Sequence, residues 1–150
     1  MVRTQTVDRS AVGRGEEERG QALVELAIVL LLLVVILAGM VDLGRALNAY
    51  IVITNAAREG ARAGSLHVSG ADLVPAVQAR VIAEAAASGV DLSDPGRSGI
   101  EVGPVGPAGT PVTVTVTHQV PLIFAGLIFV GNDLQISSSA SMIRFSGAVP

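Results

Sequence analysis

Residues 20–40 read GQALVELAIVLLLLVVILAGM, and this stretch decides the fold of the chain. No charged residue occurs from Leu26 to Val41. Together with Ala22–Val24, the apolar run approaches the roughly 20 residues that a helix needs to cross a hydrocarbon core. Backbone polar groups in lipid must be paired inside the segment, so the run must be helical although it is rich in β-branched residues. The stretch therefore predicts a membrane-spanning helix over about residues 22–41.

Glu25 is the one acid inside this apolar stretch. A carboxylate that close to lipid costs on the order of 3 kcal/mol, which makes an acid in a membrane helix a functional hypothesis by default. The alternative is that Glu25 lies at the membrane interface and reaches water. The sequence leaves both interpretations open.

Composition limits what the rest of the chain can do. The 150 residues allow one modest domain beside a membrane anchor, and with only 3% aromatic residues its core must be built from Val, Leu, Ile and Ala. A net charge of −3 with few aromatic side chains gives little support to nucleic-acid binding. The absence of cysteine excludes disulfides, cysteine metal sites and thiol catalysis.

Residues 1–19 are polar, with no helical or strand periodicity, and are predicted to be disordered. They make up nearly all of a predicted leader peptide, residues 1–20. A cleaved secretory signal is a weaker interpretation, because the apolar run is longer than the apolar region of a signal peptide. A small-x-small cleavage site should also follow that region directly, whereas Ala61-Arg62-Ala63 lies far beyond it. An uncleaved signal anchor remains open. Four arginines precede the span and Arg45 follows it, which favours a cytoplasmic N-terminus and an extracytoplasmic C-terminal part.

The order of residues around Gly20 resembles the type IV pilin signal, in which a hydrophilic leader ends in glycine and a glutamate occupies the fifth mature position. The resemblance implies cleavage after Gly20 by a membrane aspartyl peptidase, with Gln21 as the new N-terminus and Glu25 as the glutamate. The freed amine of Gln21 would be a cation inside an apolar assembly. Since a buried charge is tolerated only when paired, the carboxylate of Glu25 on a neighbouring subunit would be its partner.

The helix is predicted to continue to about Gly64, because residues 42–63 lack proline and keep amphipathic spacing. Arg45 can form an ion pair with Asp42 at the i, i+3 spacing, which contributes only tenths of a kcal/mol to the stability of the helix. Gly60 and Gly64 allow either close helix packing or a frayed helix end. Because this pair lies outside the apolar span, the frayed end is favoured.

Residues 65–150 are predicted to form a small α+β head. Asp72 can cap a second helix that Gly89 ends, and the Gly-Pro-rich residues 103–111 form a loop between strands. The head would contain a short antiparallel sheet with strands at residues 100–102, 112–120 and 134–145. The valines of the central strand face one side, and its threonines and Gln119 face the other.

Several features of the head carry no chemistry of their own. His118 lies on the valine face near the strand end and is predicted to be hydrogen-bonded locally, and His67 has no partner pattern. Asp91 and Asp94 are predicted turn residues. The apolar residues 121–130 are too short to cross a bilayer, and either join the core or form a patch that touches membrane or a partner.

The chain also resembles the TadE-like family, the pilin-like proteins of tight-adherence (Flp-type) pilus systems. The resemblance rests on RGQALVELAIVLLLLVVILAGMVDLGRAL, on NAAREGARAG after it, and more loosely on VTVTVTHQVPLIF followed by SSSASMIR. Two departures are Leu26, where an aromatic residue often follows the glutamate, and the acidic residues 16–18 before Arg19.

The resemblance implies a minor pilin or pseudopilin that is cut by a prepilin peptidase, held in the inner membrane and used in pilus assembly. Its partners would be the peptidase, other pilins, inner-membrane assembly proteins and the lipid bilayer, without nucleic acid. No phosphate-binding loop, zinc-ligand spacing, nucleophile elbow or catalytic carboxylate pair occurs, so we predict no enzymatic activity, catalytic residue, metal or cofactor. The main alternative is an uncleaved single-pass membrane protein whose outer domain binds a partner.

Overall fold

The protein is described here by a computed structural model that covers residues 9–66, 72–104, 106–124 and 133–145, with side chains from Arg19 onward. Two helices, α1 (Arg9–Leu66) and α2 (Leu73–Ala87), precede three strands. The strands are β1 (Ser98–Val102), β2 (Pro111–Pro121) and β3 (Asp133–Ile143). The predicted α+β class, with a long N-terminal helix, a second helix and a short antiparallel sheet, is confirmed.

The chain divides into two compact units, Met1–Met40 and Val41–Pro150. In the first unit the described residues are all helical. Helix α1 includes residues from Arg9 onward, so the prediction of disorder is wrong for residues 9–19. Arginine and glutamate, which dominate this segment, are good helix formers, and extending an existing helix avoids the cost of nucleation. Residues 1–8 lie outside the described part of the chain.

The second unit contains a three-stranded antiparallel sheet in the order β1-β2-β3. In the register, Glu101 lies opposite Thr115 and Thr115 lies opposite Ser139. The predicted alternation of β2 is confirmed, because its valines are buried and its threonines are only half-buried. The buried cluster joins aliphatic residues from α1, α2, β2 and the chain between α2 and β1: Val52, Ile53, Ala56, Ala57, Ala61, Leu73, Val77, Val81, Ala85, Leu92, Val112, Val114 and Val116.

The part of α1 in this unit buries its small side chains. Ala46, Ala49, Ala56, Ala57 and Ala61 are buried. The larger apolar side chains at i, i+3 and i+4 spacing lie on the exposed side of the same helix: Leu43, Leu47, Tyr50 and Ile51. The spacing of these large apolar residues therefore predicts the helix correctly but not its buried face. The face of α1 that packs in the core is the one rich in alanine.

The two glycines near the end of α1 are packing positions, and the favoured prediction of a frayed helix end is wrong. Gly60 and Gly64 are both buried within α1. A Cβ built on Gly60 would collide with the side chain of Val81, and one on Gly64 would lie 2.9 Å from Cγ1 of Val112. Glycine is required here because the helix backbone lies directly against α2 and β2.

We expect Gly60→Ala to destabilise the protein by about 1–3 kcal/mol, because Val81 is itself buried and has little freedom to move. Gly44→Ala is the matched control in the same helix, since its Cβ would meet nothing within 4 Å. That change should stabilise the helix by up to about 1 kcal/mol. Urea unfolding of the full-length variants in detergent measures both, and equal effects at the two positions would contradict the packing.

The ends of α2 are only partly as predicted. Gly89 follows the helix with φ +82°, as expected of a helix stop. Asp72 occupies the N-cap position, but its side chain makes no capping hydrogen bond, so that prediction is wrong. Its backbone is already helical (φ −86°, ψ −5°), whereas a capping side chain requires an extended residue.

The loop predicted at residues 103–111 connects β1 to β2, with Gly109 in a turn at φ +88°. Of the apolar residues 121–130, only 121–124 belong to the described chain, and residues 125–130 lie outside it.

Candidate functional site

The three residues singled out by the sequence lie in the first unit. Gly20, Gln21 and Glu25 are all helical and exposed. A Cβ placed on Gly20 would meet no atom within 4 Å, so its surroundings impose no structural need for glycine. The peptide bond between Gly20 and Gln21 is thus the middle of a helix, with no described side chain packed over Gly20.

Gln21 and Glu25 are one helical turn apart and therefore share a face. Together with Gly20 they line a shallow, open depression whose other residues are Val24, Ile28 and Val29. Among the side chains that the structure describes, Glu25 has no hydrogen bond or ion-pair partner. An acid is therefore presented on an otherwise apolar helix face, next to the amide of the residue predicted to become the N-terminus.

The helix around this acid is apolar and exposed along the span. All the large apolar side chains from Leu26 to Leu37 are exposed. In the described part of the chain, α1 is the one helix long and apolar enough to cross a membrane, and no residue of its apolar window is buried inside the protein. Side chains of this kind are expected to face lipid or another helix, so the finding supports a single-pass membrane protein.

A second constellation lies in the other unit, where Asp42 fastens the chain after β2 to helix α1. Asp42 is only 3% exposed. Its Oδ1 accepts the N–H of Ile123 at 3.0 Å, and its Oδ2 accepts the N–H of Phe124 at 2.8 Å. Hydrogen bonds to an ionised acceptor are shorter and stronger than neutral ones, so both oxygens of one side chain hold this loop.

Arg45 completes this contact, which we name the Asp42–Arg45 clamp. Its Nη1 donates to the carbonyl of Pro121 at 3.0 Å and lies 3.8 Å from Oδ1 of Asp42. The pairing predicted from the i, i+3 spacing is confirmed. The sequence did not reveal that both side chains reach across to residues 121–124, because nothing in the local pattern identifies a partner about 80 positions away.

Glu59 ties α1 to α2 on the outside of the core. Its Oε1 accepts from Nη2 of Arg80 at 2.9 Å and from Nε at 3.2 Å. Arg62 approaches Oε2 of the same side chain at 3.6 Å. Both donors of Arg80 reach the same oxygen of Glu59, and exposed ion pairs of this kind contribute little to stability.

An open groove of about 660 Å³ lies beside the clamp, between α1, the chain after α2 and the end of β2. Its polar lining includes Asp91, Asp94, Arg97 and His118. The predicted turn roles are confirmed, because Asp91 accepts the N–H of Ser93 at 2.9 Å and Asp94 that of Gly96 at 2.9 Å. The two hydrogen bonds from Ser93 also hold the pKa of Asp91 below its usual 3.8.

His118 is bonded locally, as predicted: its Nδ1 lies 2.9 Å from Oγ of Ser98 on the neighbouring strand. Burial, and then the nearby guanidinium of Arg97, lower the pKa of His118 below 6.5, with Asp91 opposing them. Within the described residues, no group of three or more His, Cys, Asp or Glu side chains is placed to hold a metal ion.

This pKa predicts a pH dependence of stability. The pKa of His118 is lower in the folded chain than in the unfolded chain, so between about 6.5 and the folded-state pKa the unfolded chain binds more protons. The free energy of unfolding therefore decreases as the pH falls through this range and does not change further, through His118, at lower pH. We expect His118→Gln to remove that part of the pH dependence. Urea midpoints at several pH values between about 7.5 and 5 measure it, and identical pH profiles for the two proteins would contradict the prediction.

Comparison with protein families gives a match to the family described as TadE-like protein, over residues 20–62. The predicted resemblance is confirmed over this stretch, which begins at Gly20 and includes Glu25, the membrane span and the Asp42–Arg45 clamp. The match covers less than half of the chain, and α2 and the sheet lie outside it. It connects the N-terminal part with tight-adherence pilus systems. Comparisons with curated proteins and with solved structures give no match.

Proposed function

We propose that this protein is a minor pilin or pseudopilin of a tight-adherence pilus, made as a precursor and cut by a prepilin peptidase between Gly20 and Gln21. The observation that carries the proposal is the family match that starts at Gly20, with an acid five residues later on an exposed apolar helix. The protein acts as a building block without enzymatic activity. The N-terminal helix supplies packing, Glu25 supplies register and the head supplies exposed surface.

The role of Glu25 follows from the cost of buried charge. Cleavage would create an ammonium group at Gln21 in an apolar environment, where an unpaired ion is costly. Within one chain, Glu25 is one turn away on the same helix face and has no described partner. The Glu25 carboxylate of a neighbouring subunit can reach the new amine only when the two helices have one particular axial offset. In other helical assemblies a single buried polar residue fixes the register between helices in the same way.

The proposed location is the inner membrane, with the N-terminus in the cytoplasm and the head outside. The support is the arginine distribution, with four before the span and Arg45 soon after it. The partners are the prepilin peptidase, other pilins, the inner-membrane assembly proteins and the lipid bilayer. The alternative function is an uncleaved single-pass protein whose extracytoplasmic domain binds a partner.

Deletion and complementation test the function. A strain that lacks this chain should form few or no tight-adherence pili, and the full-length chain should restore them. The Gly20→Ala chain is the control, because it retains the span, the head and the proposed orientation but should keep its leader, and we expect it not to restore the pili. Normal piliation in the deletion strain would contradict a role in pilus assembly.

A further inference from the structure

The chain that follows β2 presents large apolar side chains on the surface. Ile123 and Phe124 come shortly after Pro121, the last residue of β2, and their side chains are 58% and 39% exposed. From Pro121 to Phe124 the sequence contains no charged or hydrogen-bonding side chain. Water is an unfavourable environment for such a segment, so contact with an apolar medium would be favourable.

The backbone of this segment is paired inside the protein. The N–H groups of Ile123 and Phe124 both donate to the carboxylate of Asp42, and the carbonyl of Pro121 accepts from Arg45. Lipid offers no hydrogen bonds, so irregular backbone can touch it only where its polar groups are already satisfied. The Asp42–Arg45 clamp meets this condition for these three groups.

Asp42 also fixes where the segment lies along α1. It is the first charged residue after Glu25, so the uncharged run ends at the residue before it, Val41. A helical side chain leans toward the N-terminus of its helix, so the carboxylate of Asp42 is displaced from its own Cα toward the apolar run. Ile123 and Phe124, which bond to that carboxylate, therefore lie where the apolar run ends.

These contacts are all made inside the second unit, to which Val41 itself belongs. The inference uses the first unit only through the order of the chain, because the apolar run leads directly into Val41. The polar layer on each side of a hydrocarbon core is about 5–8 Å deep. Asp42 lies only about 1.5 Å along the helix from Val41, so a segment bonded to it falls within that layer.

The other side chains at this level suit the same environment. Val41 and Leu43, the neighbours of Asp42 in the helix, are both exposed. The side chain of Arg45 remains 40% exposed and carries a cation. Apolar side chains beside an arginine match the boundary between acyl chains and headgroup phosphates, where arginine reaches the polar layer and its neighbours face the apolar one.

We propose that Ile123 and Phe124 insert into the lipid bilayer that α1 spans, at the boundary between headgroups and acyl chains, and that the Asp42–Arg45 clamp holds them there. The protein then touches lipid at two places, the span and this segment, and the second contact restrains the tilt of the second unit against the membrane surface. The inference requires the span but neither cleavage after Gly20 nor pilus assembly, so it can fail while the proposed function holds.

The test uses tryptophan fluorescence, because the chain contains no tryptophan of its own. Phe124→Trp is the test variant and Phe145→Trp is the matched control. Phe145 is also exposed, and its N–H bonds to the carbonyl of Ser65, about 35 Å further along α1 than Asp42. Each full-length variant is reconstituted in vesicles of phosphatidylethanolamine and phosphatidylglycerol, with or without phosphatidylcholine brominated near the headgroup end of its acyl chains, which quenches tryptophan on contact.

We expect the brominated lipid to lower the emission of Phe124→Trp roughly twofold, since a side chain at the headgroup–acyl boundary meets the bromines. The emission of Phe145→Trp should not change. Ile123→Trp should behave like Phe124→Trp, which covers the case that the latter fails to fold.

Three results would overturn the proposal. Quenching of both test variants by aqueous iodide but not by brominated lipid would place the segment in water. Protection from both quenchers would place it against protein, such as a second copy of this chain. Equal quenching of Phe124→Trp and Phe145→Trp by brominated lipid would show that the contact is not specific to this segment.

Discussion

Glu25→Gln is expected to abolish incorporation of this chain into pili while leaving its insertion in the membrane and its cleavage intact. Removing one member of a buried ion pair costs roughly 3–5 kcal/mol, because the remaining charge is left without a partner. A loss of about a hundredfold or more in the amount found in sheared pili follows from that cost. Immunoblots of sheared pili and of membranes from the same cells measure both quantities.

Two further variants separate charge from shape. Glu25→Asp keeps the carboxylate but shortens its reach by one methylene, so an intermediate loss is expected. Glu18→Gln lies in the proposed leader and would be absent from the mature chain, so it should have no effect on incorporation. Wild-type incorporation of Glu25→Gln would show that the acid has no part in subunit register.

Asp42→Ala is expected to have the largest effect on the stability of the second unit. It deprives the N–H groups of Ile123 and Phe124 of a charged acceptor and removes the carboxylate beside Arg45. Hydrogen bonds to charged groups contribute about 1.5–3 kcal/mol each, and partial access of water to the loop reduces their sum. We therefore expect a loss of roughly 3 kcal/mol, measured by urea unfolding of the full-length chain in detergent.

Asp42→Asn retains one oxygen acceptor and should lose about half as much. Glu84→Ala is the matched control for removal of an acid, since Glu84 lies 3.9 Å from Arg80 in an exposed pair. That change should cost less than about 0.5 kcal/mol. Equal stability of Asp42→Ala and Glu84→Ala would contradict the clamp.

Regular periodicity made most of the fold predictable. The uncharged run after Glu25 predicts the long helix by its length, and the valine–threonine alternation from Val112 predicts β2. Gly89 predicts the end of α2 because a residue with positive φ is needed there. The positions of Gly20, Gln21 and Glu25 came from a resemblance, and the family match covers all three.

What the sequence did not reveal depends on contacts between distant parts of the chain. The need for glycine at Gly60 arises from Val81 on another helix, and the role of Asp42 arises from a loop that follows β2. The packing face of α1 was also hidden, since alanine carries a weak hydrophobic signal beside Leu43 and Leu47.

The mature N-terminus is the measurement that tests the proposed function most directly. Intact mass and N-terminal sequencing of the chain from native membranes should give a protein that begins at Gln21 when prepilin peptidase is active, and the full precursor when it is not. Gly20→Ala should retain the precursor in both strains, and this reports on the peptidase because a methyl group at Gly20 meets no packed neighbour. A full-length chain in every strain would contradict the pilin account and favour the uncleaved membrane-anchored binding protein.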